Sequence, residues 1–303
     1  MRSATPSRVG GRLPATLTGA GRARRSEWSR TWRRFARYRP GLVGLVFIVF
    51  LAIVAIAPGL FAPYSPTDAD PLMLGQPPSS AHLLGYDEIG RDELSRIIYG
   101  TRVALVVALL ATGLAVTIGV AVGAAAGYFG GWVDAVLSRA VDTLMAFPTL
   151  ALLIALVAVL GPSITTTIVV IGTTVWAPYA RVARADVLSL RERDFVLAAR
   201  AGGATDRRIV ARHIVPNILG PIIVLATLGV GGIIILEAAL SFLGLGVQPP
   251  TADWGSMLAE GRAYVQTYPH ILVAPGVMIS LTVLAFNLFG DGLRDALDPR
   301  QSR

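Results

Sequence analysis

The chain has 303 residues, of which 53% are hydrophobic and 15% are charged, and its mean hydropathy is +0.61. Soluble domains are about 45–50% apolar, so this composition argues against a soluble protein. There is no cysteine, which excludes disulfides and thiolate metal sites. All 27 basic residues are arginine. A chain without lysine cannot contain the phosphate-binding GxxxxGK[ST] loop of nucleotide hydrolases.

Residues 1–40 carry eleven arginines and few apolar residues, which predicts a disordered basic tail that contacts anionic lipid. Six apolar stretches of about 20 residues follow, and each is long enough to cross a bilayer as a helix. The first has no charge on any face, whereas a helix of a soluble protein would show a polar stripe. The sequence therefore predicts an all-α polytopic membrane protein with six transmembrane helices, at 41–61, 102–128, 142–160, 163–180, 219–240 and 271–289.

The distribution of arginine predicts which side of the membrane each connection faces. With six spans, 23 of the 27 arginines fall on the side of the N-terminus. The positive-inside rule then places both termini and the 181–217 loop in the cytoplasm, for a protein of the cytoplasmic membrane. The net charge of +8 is thus an orientation signal, and nucleic acid is not an expected partner.

The remaining segments divide the chain further. Residues 62–100 are predicted to be extracytoplasmic, acidic, and helical from about Asp92. They are interpreted either as a surface that receives a binding protein or as a solvated loop that orders the first two spans. Residues 101–291 form the predicted core domain, which includes the 181–217 loop, and 292–303 form a cytoplasmic tail.

Two features within the spans stand out. Gly119, Gly123 and Gly127 recur at four-residue spacing, which favours close helix packing in lipid. Glu237 is the clearest ionisable residue at membrane depth and is therefore a candidate pathway or interhelical polar residue. The alternative is a Glu237 that is hydrated at the outer interface or paired with a neighbouring helix.

No catalytic constellation is visible. HExxH and GxSxG are absent, and the three histidines fall in separate segments. No catalytic, cofactor-binding or metal-binding residue is therefore predicted in this chain. A secondary transporter would need an intramembrane ion site and inverted repeats, and a membrane enzyme or scaffold would need polar groups within the spans; neither pattern is present.

The most informative segment is the 181–217 loop, RVARADVLSLRERDFVLAARAGGATDRRIVARHIVPN. It is polar and basic, lies between two apolar spans, and is interrupted by Gly202 and Gly203. A water-facing loop with its own helices is predicted to be a docking element for a cytoplasmic partner.

The end of this loop resembles the EAA loop of bacterial binding-protein-dependent ABC importer permeases. The corresponding residues are Leu197, Ala198, Ala199, Gly203 and Pro216, with Leu197 where the family has Glu. Three further blocks resemble the C-type subunit of the dipeptide, oligopeptide and nickel branch: LLGYDEIGRDELSRIIYGTR (83–102), ALSFLGLGVQPPTADWGSML (239–258) and FNLFGDGLRDALDPR (286–300).

This resemblance implies a type I (MetI-like) importer fold and transport by alternating access. It also implies a homologous second permease subunit as heterodimer partner, an extracytoplasmic solute-binding protein, and two ABC ATPase subunits that hold the ATP and Mg. Dipeptides, oligopeptides, nickel chelates and glutathione remain open as the solute. The implied ATPase-coupling residues are three small alanines that enter a groove, a glycine turn, an arginine at the rim and a proline: Ala198, Ala199, Ala201, Gly203, Arg207 and Pro216.

Overall fold

The computed structural model describes residues 32–297, and every helix in that range is α-helical apart from two short 3₁₀ turns and one π turn. The α-helices are α1 Arg39–Ile56, α2 Pro58–Phe61, α3 Glu93–Phe129, α4 Gly131–Ala146, α5 Thr149–Leu160, α6 Ile164–Thr174, α7 Ala177–Leu190, α8 Asp194–Ala201, α9 Asp206–Ile209, α10 Val215–Phe242, α11 Trp254–Gly261 and α12 Pro269–Leu297. The predicted tail at 1–40 lies mostly outside the described residues, as does the end of the predicted tail at 292–303.

Four helical segments are long and apolar enough to cross a membrane: α1, α3, the continuous run Asp206–Phe242 and α12. The pair α4 and α5 passes the same criterion together, but the two helices are bent by 90°. The described residues thus contain four candidate spans, or five if the bent pair is one span. An all-helical membrane protein is confirmed, and the count of six remains a prediction.

The predicted span at 142–160 is interrupted, because the helix breaks at Phe147 and Pro148, and whether the two pieces cross the membrane as one span stays a prediction. Proline disfavours helical backbone in the residue before it, and Phe147 is extended with φ −84° and ψ 140°. The predicted span at 163–180 is likewise divided into α6 and α7 by a turn at Val175 and Trp176.

The close approach of α3 and α7 explains the glycine repeat of α3. A Cβ atom on Gly123 would lie 2.3 Å from the carbonyl oxygen of Ala180, and one on Gly127 would lie 2.9 Å from that of Arg184. A Cβ on Gly119 would meet the carbonyl oxygen of Trp176 at 2.7 Å. Backbone atoms cannot move aside cheaply, so the predicted small-residue packing is confirmed.

The N-terminal end of α3 is held by the cap, which we define as residues 62–96 together with α11. Asp92 caps α3 by accepting a hydrogen bond from the backbone N–H of Ser95, close to the helix start that the sequence predicted. Trp254 of α11 is fully buried, and its indole N–H donates to the carbonyl of Ile97 at 3.0 Å. The cap therefore joins α11 firmly to the first turns of α3.

Candidate functional site

The 181–217 loop is almost entirely helical. It contains the end of α7, then α8, a turn at 202–205, α9, a π turn Val210–Ile214 and the start of α10. Pro216 is the second residue of α10 and is exposed. A proline has no N–H to donate, and a π turn directly before it is one way for the helix to continue without that bond.

The turn after α8 has the geometry of a Schellman cap. The N–H of Gly203 donates to the carbonyl of Arg200 at 3.0 Å, and the N–H of Ala204 donates to the carbonyl of Ala199 at 3.1 Å. Gly203 has φ +79°, and a Cβ there would meet nothing within 4 Å. Glycine is therefore favoured at this position by backbone conformation rather than by space.

One side chain anchors α8 to the bundle. Val196 is fully buried in an apolar cluster that includes Ile209, Ile214 and Val187. Ala199 is half-buried against the same cluster. The methyl group of Ala199 therefore packs in part against this chain's own helices, and its role in coupling to the ATPase stays a prediction.

The opposite face of α8 is exposed and mostly apolar. Phe195 and Leu197 are 42% and 46% exposed, and Ala198 and Ala201 are exposed beside them. Leu197 occupies the position at which the resemblance implies a glutamate. Neighbouring apolar side chains left in solvent on a polar loop are typical of a protein-binding surface.

Polar contacts connect the loop to α3. The Tyr128 hydroxyl donates to Asp206 Oδ1 at 2.6 Å, and the Arg200 guanidinium lies 5.8 Å from the centroid of the Tyr128 ring. Arg191 Nη1 donates to the carbonyl of Gly127 at 3.1 Å. The loop is thereby attached to the last turn of α3.

A second polar contact connects the loop to α4. Arg184 makes two hydrogen bonds to the Asp134 carboxylate, at 2.5 and 2.7 Å. Sequence reasoning missed this pair, because the partners are 50 residues apart and no local pattern relates them. Burial raises the pKa of Asp186 on the same helix α7, and its Oδ2 has no hydrogen-bond donor among the described residues.

The arginines of α9 and the π turn point outward. Arg207, Arg208 and Arg212 are all exposed. Together with the apolar face of α8 they form one surface, which we call the α8–α9 surface: Phe195, Leu197, Ala198, Ala201, Arg207, Arg208 and Arg212. Its apolar centre and cationic edge suit a partner with an apolar groove and an acidic rim.

Glu237 lies away from this surface. It is 1% exposed, so the hydrated alternative is wrong, and it accepts a hydrogen bond from the Ser241 hydroxyl at 2.9 Å. Its carboxyl group also interacts directly with that of Asp253, the residue that caps α11. The role of Glu237 in the pathway or between helices stays a prediction. No group of three or more His, Asp or Glu side chains suited to a metal ion occurs in 32–297.

The fold and this loop define a helical membrane permease. The family model for the binding-protein-dependent transport system inner membrane component matches residues 115–303, and the N-terminal TM domain of oligopeptide transport permease C matches 26–78. The chain therefore belongs to the family of binding-protein-dependent ABC importer permeases, in its dipeptide and oligopeptide branch.

Two curated relatives cover nearly the whole chain. It is 42% identical to the dipeptide transport system permease protein DppC of Alkalihalophilus pseudofirmus, over 91% of this chain and 90% of that one. It is 43% identical to the glutathione transport system permease protein GsiD of Escherichia coli O157:H7, over 91% of each. Among solved structures, it resembles inward-facing forms of the MetNI methionine ABC transporter. The TM-scores are 0.53 and 0.54, at 19% and 18% identity, over 67% and 68% of this chain and 96% and 97% of the other.

Proposed function

We propose that this chain is the transmembrane subunit of an ATP-driven importer of short peptides, and that it works with a second permease, two ATPase subunits and a solute-binding protein. The observation that carries this proposal is the α8–α9 surface, an exposed apolar face on a helix that is anchored to the bundle by Val196. The 42% identity to a dipeptide permease supports the peptide as solute. The likeness to GsiD makes glutathione, itself a short peptide, the second candidate.

In this proposal, force from an ATPase reaches the spans through the contacts of the loop. A partner that binds α8 moves Tyr128 of α3 through Arg200 of α8 and Asp206 of α9, and it moves Asp134 of α4 through Arg184 of the preceding helix α7. Because α3 packs on α7 through glycine contacts with backbone atoms, the two helices move together. Closure of the ATPases then tilts these helices and changes the side to which the pathway opens.

This mechanism needs the 181–217 loop in the cytoplasm. The wild-type chain has no cysteine, so single cysteines report orientation without background. Ser189 and Ser80 are both exposed, the first in the loop and the second in the cap. We expect an impermeant maleimide added to intact cells to label the Ser80→Cys variant and to spare the Ser189→Cys variant. Labelling of Ser189→Cys from outside would reverse the topology.

Coupling is tested with two loop variants in the assembled complex. Ala198→Trp adds bulk to the exposed face of α8, and Gly203→Val places a β-branched residue at φ +79°. We expect both variants to assemble, to lose peptide uptake by at least about tenfold, and to lose the ATPase response to loaded binding protein.

The matched control is Gly161→Val, between α5 and α6. Gly161 has φ +87°, and a Cβ there also meets nothing within 4 Å. It therefore carries the same backbone strain outside the loop, and its uptake should stay within about twofold of wild type. Equal uptake by Gly203→Val, Ala198→Trp and wild type would mean that the loop only joins two spans.

A further inference from the structure

A cavity lies where the two interrupted spans meet α10. Its volume is about 640 Å³, within the range of about 300–1,000 Å³ that ligand sites occupy. The lining comes from three places: the break between α4 and α5, the break between α6 and α7, and the middle of α10. In transporters, interrupted spans commonly mark the solute site, since irregular backbone at membrane depth is tolerated where it lines a cavity.

Two hydroxyl groups in this cavity make no hydrogen bond. Thr174 and Tyr179 are 6% and 4% exposed, both line the cavity, and neither side chain forms a hydrogen bond within residues 32–297. Neither hydroxyl oxygen is among the fully buried unpartnered atoms of residues 32–297, so both are accessible to a ligand in the cavity. The carbonyl of Thr174 also loses its helical donor, because the residue four positions later is Pro178.

Glycines keep the cavity open on the side of α10. A Cβ on Gly229 would lie 2.2 Å from the Tyr179 hydroxyl oxygen, so glycine at 229 lets Tyr179 reach across from α7. A Cβ on Gly232 would meet nothing within 4 Å, although the residue lines the same cavity. Gly232 therefore borders a part of the cavity that no other atom of the described chain fills.

The chemistry of the lining identifies a class of ligand. Apart from Thr149, Thr174 and Tyr179, the lining is glycine, proline and apolar side chains, with no charged group. Hydroxyl and carbonyl groups match the N–H and C=O of a peptide bond, whatever the side chains of the peptide are. An uncharged apolar wall tolerates varied side chains without holding any of them tightly, as a transit site requires.

We propose that this cavity is the transit site for the peptide backbone, in which the hydroxyl groups of Tyr179 and Thr174 bond the amide groups of the solute and Gly232 sets its clearance. The proposal rests on the function proposed above. It also places selection by charge outside this cavity, because no charged group lines it.

The test uses the whole complex in proteoliposomes with radiolabelled dialanine and tetra-alanine as probes. We expect Gly232→Leu to reduce tetra-alanine uptake by at least about tenfold, the penalty of overfilling a fitted site, and to reduce dialanine uptake less. Tyr179→Phe removes one hydrogen bond and should lower uptake of both peptides about three- to tenfold at limiting concentration. ATPase stimulation by loaded binding protein should persist in both variants.

The matched control is Gly113→Leu on α3, a helical glycine whose added Cβ also meets nothing within 4 Å and which lies outside this cavity. Its uptake should equal that of wild type. Equal tetra-alanine uptake by Gly232→Leu and Gly113→Leu would overturn the transit site while leaving the proposed function intact. If the wild-type complex imports neither peptide, the proposed function fails and the transit site fails with it.

A second variant, Gly232→Cys, tests the same position without the bulk of leucine, so that a loss of import is not due to misfolding. Gly232→Cys is small and, in a complex whose other subunits lack accessible cysteines, provides the only thiol. We expect this variant to import tetra-alanine until a bulky maleimide modifies it, and to lose import afterwards. Import that continues after complete modification would exclude the cavity from the pathway.

Discussion

The cap and the 181–217 loop lie at opposite ends of α3, and they are held in opposite ways. In the cap, Asp87 is fully buried, with its Oδ2 2.5 Å from Arg91 Nε and 2.6 Å from Arg96 Nη1. Arg96 also reaches Glu260 of α11 at 2.7 Å. In the loop, α8 depends on one buried valine, and the ion pair at its start, Arg191 with Glu192, is open to solvent.

The helices of the cap also have better capped N-termini than those of the loop. In the cap, Asp92 and Asp253 each accept a backbone hydrogen bond at the start of α3 and α11. The residues at the corresponding positions of α8 and α9, Arg193 and Thr205, make no such bond. Segments with few buried contacts and exposed helix ends open most easily. The N-terminal end of α3 is therefore held by a tightly bonded cap, and its other end is attached to a segment that is held more loosely.

We expect the largest loss of stability from Arg96→Met, which tests whether the cap is held more firmly than the loop. The substitution removes the 3% exposed guanidinium that bonds the fully buried Asp87 and Glu260, and leaves both carboxylates with Arg91 alone. Breaking a buried ion pair costs about 3–5 kcal/mol, and the contacts that Arg91 keeps set this as the upper end of the expected loss. We expect a clear fall in the thermal unfolding midpoint of the purified chain in detergent, followed by tryptophan fluorescence.

The control for Arg96→Met is Arg181→Met at the opposite end. Arg181 and Asp142 form an ion pair whose side chains are 57% and 56% exposed. An exposed pair contributes about 0–1 kcal/mol, so the midpoint should hardly change. Equal losses in the two variants would show that the cap is no more rigid than the loop.

The next effect concerns the anchor of α8. Val196→Ala removes two methyl groups from a fully buried position, at a cost of about 1–3 kcal/mol. Because α8 has no other fully buried residue, we expect faster amide exchange confined to 194–204, with little change in global unfolding. Leu197→Ala, on the exposed face, should leave exchange unchanged. Faster exchange throughout the bundle would mean that α8 is not an independent unit.

The sequence predicted the helical class and the glycine turn of the 181–217 loop, because these depend on local patterns: apolar length and the Gly202–Gly203 pair. The orientation drawn from the arginine distribution stays a prediction. The sequence failed where structure depends on partners far along the chain. Apolar length also did not separate α4 from α5, although their break at Phe147 and Pro148 is local. The sequence did not show which side of α8 faces the bundle. The apolar cluster that contacts Ala199 includes Ile209 and Ile214, which come later in the chain.

The third effect concerns pH and the cap. Burial raises the pKa of Asp253 above its ordinary value of 3.8, and the neighbouring groups are the Glu237 carboxyl and the Ser241 hydroxyl. The Asp253 carboxyl therefore keeps its proton to a higher pH in the native chain than in the unfolded chain. Its contribution to stability is full below pH 3.8 and is lost as the pH rises through the raised pKa.

Asp253→Asn removes this titration and keeps an oxygen that can cap α11. Its amide group can also donate to the Glu237 carboxyl, and an ordinary hydrogen bond contributes about 0.5–1.5 kcal/mol. We expect the wild-type unfolding midpoint to fall more than that of the variant as the pH rises above 3.8. Parallel curves for the two chains would show that Asp253 does not hold a proton in the native state.

The smallest effect is a gain in the loop. Arg193 already has the extended backbone of an N-cap residue, φ −76° and ψ 147°, but its side chain makes no capping bond. Arg193→Asp supplies an acceptor for the free N–H groups at the start of α8 and a negative charge at its N-terminus, worth about 0.5–1 kcal/mol. We expect amide exchange in α8 to slow by about two- to fivefold, with no change in the cap.

Arg193→Ala separates the new capping bond from the simple loss of a positive charge. If Arg193→Ala slows exchange as much as Arg193→Asp does, the gain comes from charge removal and the missing cap is not what leaves α8 loose. If only Arg193→Asp slows it, the weak start of α8 results from the residue at its N-cap. The contrast with α11, which Asp253 caps, then follows from one side chain at each helix start.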